Sequence, residues 1–542
     1  MTGEKMPDFV DIDIIGRSDP SIRNDLFQVR MSTPAGGFGE GTLNLDELST
    51  NATALFSLAN SLGVPVLSRT RKNALLASLE AKISARLADN DLPLFLPAEK
   101  TGWIGKKCFV TPTDVFGESD LIVRRTFGKP PLCLNCARKG SLEDWKRGPG
   151  RMMNDAPELI FLAGAALMPA LLPLMNISGC GFGLIGDTSK GKSSAMQFMG
   201  SIRGGGDEQG PRFNETWRAT ANGFDPFAPY FNHILFLLDD IQDLPGNDRQ
   251  KAALLRELIY MLCAGREKAR KGSNFPTTWT TVFFTAHNIT LASVMKFGGE
   301  HHNQAAEVRF IELPWRGLRG PAFSDALRRR SLRSYGAPWH EFLRRLTEDL
   351  NADASDLEQW IQERIDSMQH KYLKIRDDES RVSQYFGLAY AAALLAVSYG
   401  ILPVSEDDVR QSVIDAYAAH RRHVEETRHQ ADPLTNLRHY IERNIDAFVD
   451  SRKGRGQKSQ GEAAGYITEG HKGKEFSFLS EQFRRGIKPF SSKITCDALK
   501  DAGLLNFEEG GERSNARNST HRTISGEVQR VYSVDMRILD RG

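Results

Sequence analysis

Gly186-Asp187-Thr188-Ser189-Lys190-Gly191-Lys192-Ser193 fits the pattern G-x-x-x-x-G-K-[ST], the spacing of a loop that wraps phosphate. Glycines at its two ends let the backbone turn tightly, so that N–H groups point inward at phosphate oxygens. Lys192 supplies a point charge for β- and γ-phosphates, and the Ser193 hydroxyl suits Mg²⁺. Such a loop needs a buried strand before it and a helix after it, and both patterns are present. GFGLI feeds the loop, and KSSAMQFMGSI reads as a helix whose N-terminal dipole adds to the anion site. Gly186 through Ser194 is therefore the expected nucleotide-binding segment, with ATP and Mg²⁺ as its ligands. Gly181-x-Gly183-x-x-Gly186 is also a formal dinucleotide fingerprint, but it overlaps the strand that feeds the loop and has no room of its own.

A phosphate loop of this kind needs carboxylates on a second strand. His233-Ile-Leu-Phe-Leu-Leu-Asp239-Asp240 supplies them at the carboxyl end of an apolar run, where α/β sheets bind ligands. Asp239 is the expected Mg²⁺ partner, and Asp240 the group that polarises water. Many such ATPases carry Glu at the second position, so Asp240 is a departure. Two acids capping a strand into a turn is the plainer alternative. A third strand, Thr281 to Asn288, ends in polar residues. In ATPases of the AAA+ type a polar side chain here lies between the two earlier strands and touches the γ-phosphate or the water. Asn288 is the first choice and Thr285 the second; an Asn turn closing the strand is the alternative. Arg309 opens the next strand, Val308 to Pro314, where an arginine reaches a neighbouring subunit's nucleotide or forms a surface ion pair.

The rest of the chain bounds these readings. With 542 residues, several domains are expected. Composition is globular, at 40% hydrophobic and 25% charged, and 70 basic against 68 acidic residues leave +2. That balance excludes a histone-like coating protein but not a local nucleic-acid surface. Six scattered cysteines fit a reducing cytoplasm. The N-terminus has no apolar leader pattern. Leu159 to Met175 is apolar, yet it holds Pro169 and Pro173 and runs into a loop that must sit in water. It reads as a buried helix and no membrane association is expected. Residues 1–155 read as an α+β domain in which PAGGFGEGT is a hairpin loop, 156–320 as a P-loop ATPase core, 321–430 as a helical lid, and 431–542 as a winged-helix-like unit. The expected fold class is α/β, a parallel-sheet P-loop core with these additions.

TGWIGKKCFVTP (Thr101 to Pro112), GDTSKGKSS, WRATANG (Trp217 to Gly223), LLDDI and YMLCAGREKAR (Tyr260 to Arg270) occur in that order. Together they make most of the chain resemble the domain-of-unknown-function family 927, helicase-like ATPases encoded largely on phages and other mobile elements. The resemblance implies an AAA+-like fold, ATP hydrolysis and a role in replicating the element's DNA. It also implies that Arg381, at the start of a helix, is the second sensor arginine.

At the C-terminus two helical patterns precede two strands around Gly526, an order that resembles a winged helix. Arg513, Arg517, Arg522 and Arg530, with Arg452, Lys453 and Arg455, are its candidate phosphate contacts, against a protein-binding module with a basic rim. Arg266, Lys268, Arg270 and Lys271 form a second basic cluster. Cys133-Leu-Asn-Cys136 is a lone C-x-x-C, and free thiols are the plainer alternative to zinc. The expected activity is an ATPase coupled to movement on DNA, assembled as a homo-oligomer with a hexameric ring among its forms. The rival is a nucleotide-gated regulatory or defence protein that does not translocate.

Overall fold

The computed structural model describes residues 11–22, 25–33, 36–128, 130–206, 212–217, 227–266, 277–297, 308–376, 379–431, 433–452, 463–470, 473–487, 490, 492–507 and 518–540. The chain divides into two compact units, Met1–His420 and Arg421–Gly542.

At the centre of the first unit four apolar runs form a parallel sheet. They are β1 (Cys180–Ile185), β2 (Leu235–Leu238), β3 (Val282–His287) and β4 (Phe310–Pro314). The order across the sheet is β2-β3-β1-β4. Every residue of β1, β2 and β3 is buried, as expected when helices cover both faces of a parallel sheet. Alternate residues feed two apolar layers. Phe182, Leu184, Leu235, Leu237 and Phe284 join a core with helices Glu158–Leu167, Lys192–Arg203, Ala337–Asp366 and Ser380–Ser398. Phe236, Leu238, Phe283 and Phe310 join a second with helix Asp248–Ala264. Phe182 stacks on Phe284 with centroids 4.8 Å apart. Each such buried ring contributes about 1.5–3 kcal/mol.

The glycines of β1 serve this packing. A Cβ on Gly181 would stand 2.1 Å from the Phe283 ring, and one on Gly183 would stand 2.3 Å from His287 Nε2. The apparent dinucleotide fingerprint is thus a strand made thin for its neighbours. The apolar run from Leu159 becomes a buried helix, Glu158–Leu167, and a 3₁₀ turn at Met168–Ala170. Among the described residues no helix is long and apolar enough to cross a membrane.

Residues 321–430 are helical almost throughout, as expected. The long helix Ala337–Asp366 breaks at Asp353, whose carboxylate accepts from the Ser355 and Asp356 amides and so caps a new start. Trp339, Phe342, Ile361, Phe386 and Tyr417 place these helices in the same core as the sheet.

Ahead of this core lies a five-stranded sheet in the order Gly37–Asn44, Leu26–Thr33, Ile12–Ser18, Leu94–Ala98, Ile122–Arg125. Helices Thr53–Ser61 and Arg69–Asp89 contribute to its own apolar cluster. Here one expectation is corrected. PAGGFGEGT is not all loop, since Gly37 onward is a strand paired with Leu26–Thr33. Its glycines admit a helix: a Cβ on Gly41 would lie 2.4 Å from Leu58, and one on Gly39 would lie 2.9 Å from Leu62.

In the second unit, helices Ser480–Gly486 and Ser492–Asp501 precede a hairpin, Thr520–Ile524 with Glu527–Asp535, turning at Ser525 and Gly526. An earlier hairpin, Gly465–Gly470 with Gly473–Phe478, went unforeseen; it adds strands to the same sheet. Buried Glu475 accepts from Ser533 (2.6 Å) and Asn506 (2.7 Å) and forms an ion pair with Arg522.

Candidate nucleotide site

The octet follows β1 and runs into helix Lys192–Arg203. Gly191 caps that helix in the left-handed region (φ 81°), and a Cβ there would strike Ser324 Oγ at 2.6 Å. Ser189 also has positive φ, 63°, a conformation a non-glycine residue adopts only where its surroundings hold it. Residues 315–320 hold the loop from outside. Trp315 N–H donates to Ile185 O (2.6 Å), its indole to Lys190 O (2.9 Å), and the Leu318 amide to Lys190 O (3.2 Å).

Lys192 turns back into the loop. Its ammonium donates to Gly186 O (2.6 Å), Asp187 O (2.7 Å) and Asn288 Oδ1 (2.7 Å). Burial lowers its pKa, while the charges of Asp240 and Asp187 pull the other way. Ser193 is exposed beside it in the helix's first turn, and Ser194 is buried.

Asp239 and Asp240 follow β2. Asp239 is exposed and Asp240 half-buried, and the Asp240 amide donates to the Asp239 carboxylate at 3.0 Å. Of the two polar residues weighed on β3 and its end, Asn288 meets Lys192. Thr285 is instead a buried tie, donating to Asp239 O (2.9 Å) and accepting from the Trp217 indole (3.0 Å). Trp217 thus anchors its motif to the base of the acid pair; Arg218 to Gly223 lie outside the described residues.

His287 has no counterpart in the sequence reading. It is fully buried, its Nδ1–H donates to Ile289 O (2.5 Å), and Glu312 Oε1 stands 4.0 Å from Nε2. Among the described residues Nε2 has no hydrogen-bond partner. Burial pushes its pKa down, against the opposing charge of Glu312, so the ring is neutral at pH 7. In sequence it is one of the polar residues that close the strand, and no local pattern singles it out from Thr285 or Asn288.

The two expected arginines lie elsewhere. Arg309 precedes β4 and stacks over Tyr260 at 5.2 Å. Arg381 donates to Ser178 Oγ at 3.1 Å, just ahead of β1. Both are at the amino end of the sheet, and the six residues of β1 put roughly 20 Å between that end and the loop. Both charges act on Cys263, whose thiol burial pushes up to about 12. The structure therefore gathers the octet, Asn288 and the acid pair, and does not bring Arg309 or Arg381 to them in the same chain.

The amino end also holds the Thr101–Trp103 motif. Thr101 Oγ1 donates to Asn232 O (3.0 Å), Asn232 Nδ2 to Thr101 O (2.6 Å), and the Trp103 amide to His233 Nδ1 (3.0 Å). Gly102 sits at φ 96°, and a Cβ there would lie 2.4 Å from His233 Nδ1. Burial first, and Lys100 second, bring the His233 pKa down to about 3.

Among the described residues, three of the candidate DNA contacts are engaged within the chain. Arg522 is paired with Glu475, Arg452 with Glu469, and Arg530 donates to Ser519 at 2.6 Å. Lys453, Arg455, Arg513 and Arg517 lie outside the described residues, as do Lys268, Arg270 and Lys271; Arg266 is exposed. Cys133 donates to Glu215 at 3.2 Å, and burial raises both its pKa and that of Cys136, the latter to about 12.

Fold and site together define a mixed α/β protein with a glycine-rich, lysine-bearing loop at the carboxyl edge of a sheet. Residues 42–274 match the family model described as domain of unknown function (DUF927). The match takes in the TGWIG motif, the octet and the acid pair; Asn288, Arg309 and Arg381 fall beyond it. Among solved structures, the chain is similar to one described as "SCCmec type IV Cch - active helicase". That similarity has a TM-score of 0.59 at 16% identity, covering 99% of this chain and 97% of that one. The apo A form of the NrS-1 C-terminal region, CTR(305-718), aligns with a TM-score of 0.25 at 10% identity, over 75% of this chain and 91% of that one. No curated protein matches the chain.

Proposed function

We propose that the chain is an AAA+-like P-loop ATPase, helicase-like, acting on DNA as a homo-oligomer, in the replication of a phage or other mobile element. The observation that carries the reading is the 2.7 Å bond from Lys192 to Asn288. It joins the loop to the end of the strand lying between β1 and β2. The similarity to a structure described as an active helicase supports the same reading, through the fold.

In this reading the amides of Gly186 to Ser194 and the Lys192 ammonium hold the phosphates of ATP. The exposed Ser193 hydroxyl and Asp239 carboxylate suit a hard cation that keeps most of its waters. When bound, Mg²⁺ would supply charge neutralisation between the outer phosphates. Asp240 orients the attacking water, and Asn288 moves between Lys192 and the terminal phosphate. Arg309 serves the site of the next copy, since its own lies at the far end of the sheet. One observation favours the rival reading of a nucleotide-gated switch: Arg522 and Arg452 already have acidic partners.

The test is the steady-state ATPase rate with and without single-stranded and duplex DNA, at low and moderate salt, with Lys192→Ala as the blank. Strong, salt-sensitive stimulation is expected of a DNA motor. Turnover indifferent to DNA would give the switch reading precedence, and no turnover above the blank would sink both.

A further inference from the structure

We infer that Arg316 is a nucleotide-binding residue that grips the ribose end of the ligand, at the phosphate next to the sugar. The inference rests on the nucleotide reading above and adds to it a group that the octet pattern does not contain.

The sheet order gives the loop two unlike sides. On one side β3 and β2 bring Asn288 and the acid pair, the groups suited to a terminal phosphate. On the other, β4 leaves the sheet with Pro314 opposite Ile185, the last residue before the loop. A nucleotide lying along the loop with its terminal phosphate toward Asp240 points its sugar end toward the exit of β4. Arg316 is the second residue past that exit.

Its backbone has little freedom. Trp315 before it is tied to Ile185 and Lys190, and Leu318 after it to Lys190. The contact is close: a Cβ on Gly186 would lie 2.4 Å from Trp315 O, and Gly317 runs along Lys190 at φ 108°. The Arg316 side chain is exposed, and among the described residues it has no hydrogen bond or ion pair. Arg319, three residues on, is paired with Asp155 at 3.3 Å. Arg381, expected to place an arginine at the nucleotide, is held at Ser178 instead. Arg316 therefore has its backbone held beside the loop and its guanidinium left available to an anion.

The test is calorimetric titration of the full chain with MgADP, together with steady-state ATPase kinetics, for wild type, Arg316→Ala, Arg316→Lys, Arg319→Ala and Lys192→Ala. For Arg316→Ala, the Kd for MgADP and the KM for ATP should rise about tenfold, the size expected for one charge-assisted contact, with kcat within twofold. Arg316→Lys should recover part of the loss, and Arg319→Ala should bind as wild type. Unchanged binding in Arg316→Ala, alongside loss in Lys192→Ala, would overturn this inference alone. A fall in kcat at constant KM would also overturn it, by moving Arg316 to the terminal phosphate. Wild-type protein that binds no MgADP would overturn the nucleotide reading itself.

Discussion

The two ends of the central sheet are built from similar residue types to different purposes. At the carboxyl end, Ser193, Asp239 and Arg316 are exposed, and Lys192 is held by oxygens of a loop with left-handed residues at Ser189 and Gly191. At the amino end, Thr101, Asn232 and His233 satisfy one another away from water, and Arg381 is held by Ser178. A buried polar group that is fully paired fixes a structure, because leaving it unpaired costs more than pairing it gains. A polar group held in place but open to solvent can serve a ligand. The difference teaches that lying in a matched stretch does not by itself make a motif a site: TGW and the octet both fall within residues 42–274, and only the octet has most of its polar side chains open to solvent.

The comparison can be broken at either end. The largest effect is expected from Lys192→Ala, which should lower nucleotide turnover more than 100-fold, about 2.7 kcal/mol. Its thermal midpoint should stay near that of wild type, because the lost bonds end on Gly186, Asp187 and Asn288, none of them a fully buried residue. Next comes Gly102→Ala. Its positive φ and the 2.4 Å approach to His233 should cost about 2–3 kcal/mol of stability, read as a lowered urea midpoint. Nucleotide affinity per folded molecule should be unchanged, and a selective loss of affinity would mean the two ends are not separable.

Acid should act on the amino end. His233 has a folded pKa near 3, below its ordinary value of about 6.5. Between those values the unfolded chain takes up a proton that the folded chain refuses. Stability should therefore be complete above about pH 6.5 and fall below it, by up to about 1.4 kcal/mol per pH unit from this group. Denaturant midpoints between pH 7.5 and 5 measure the slope, and His233→Gln should flatten it. The smallest effect sharpens the comparison: Arg381→Ala should leave MgADP affinity within twofold, since Arg381 is held at the far end of β1 from its own loop.

What the sequence shows of this arrangement is local. The octet, the strand before it, the helix after it and the acids closing β2 were legible because each depends on spacing within a few residues. The helical character of 321–430 was legible for the same reason. The roles of Gly39, Gly41, Gly181 and Gly183 were not, because each answers to a side chain far along the chain. His287, Arg316 and the Glu475 network escaped likewise: their neighbours are set by strand order, which no local pattern encodes. Asn288 ranked ahead of Thr285 in sequence, but the direction each takes at the end of β3 was not legible there.

One detail of the loop carries a selectivity. An ammonium has three N–H bonds, and all three of Lys192 already end on oxygen. An incoming molecule is therefore weighed against two peptide carbonyls and an amide. A neutral hydroxyl or ester is a weaker acceptor than these and gains nothing by displacing them. A phosphate oxygen carries charge and makes the stronger bond, so it wins the exchange. If the loop binds nucleotide as proposed, it would act as a charge filter, rejecting uncharged sugars and esters before their shape is tested.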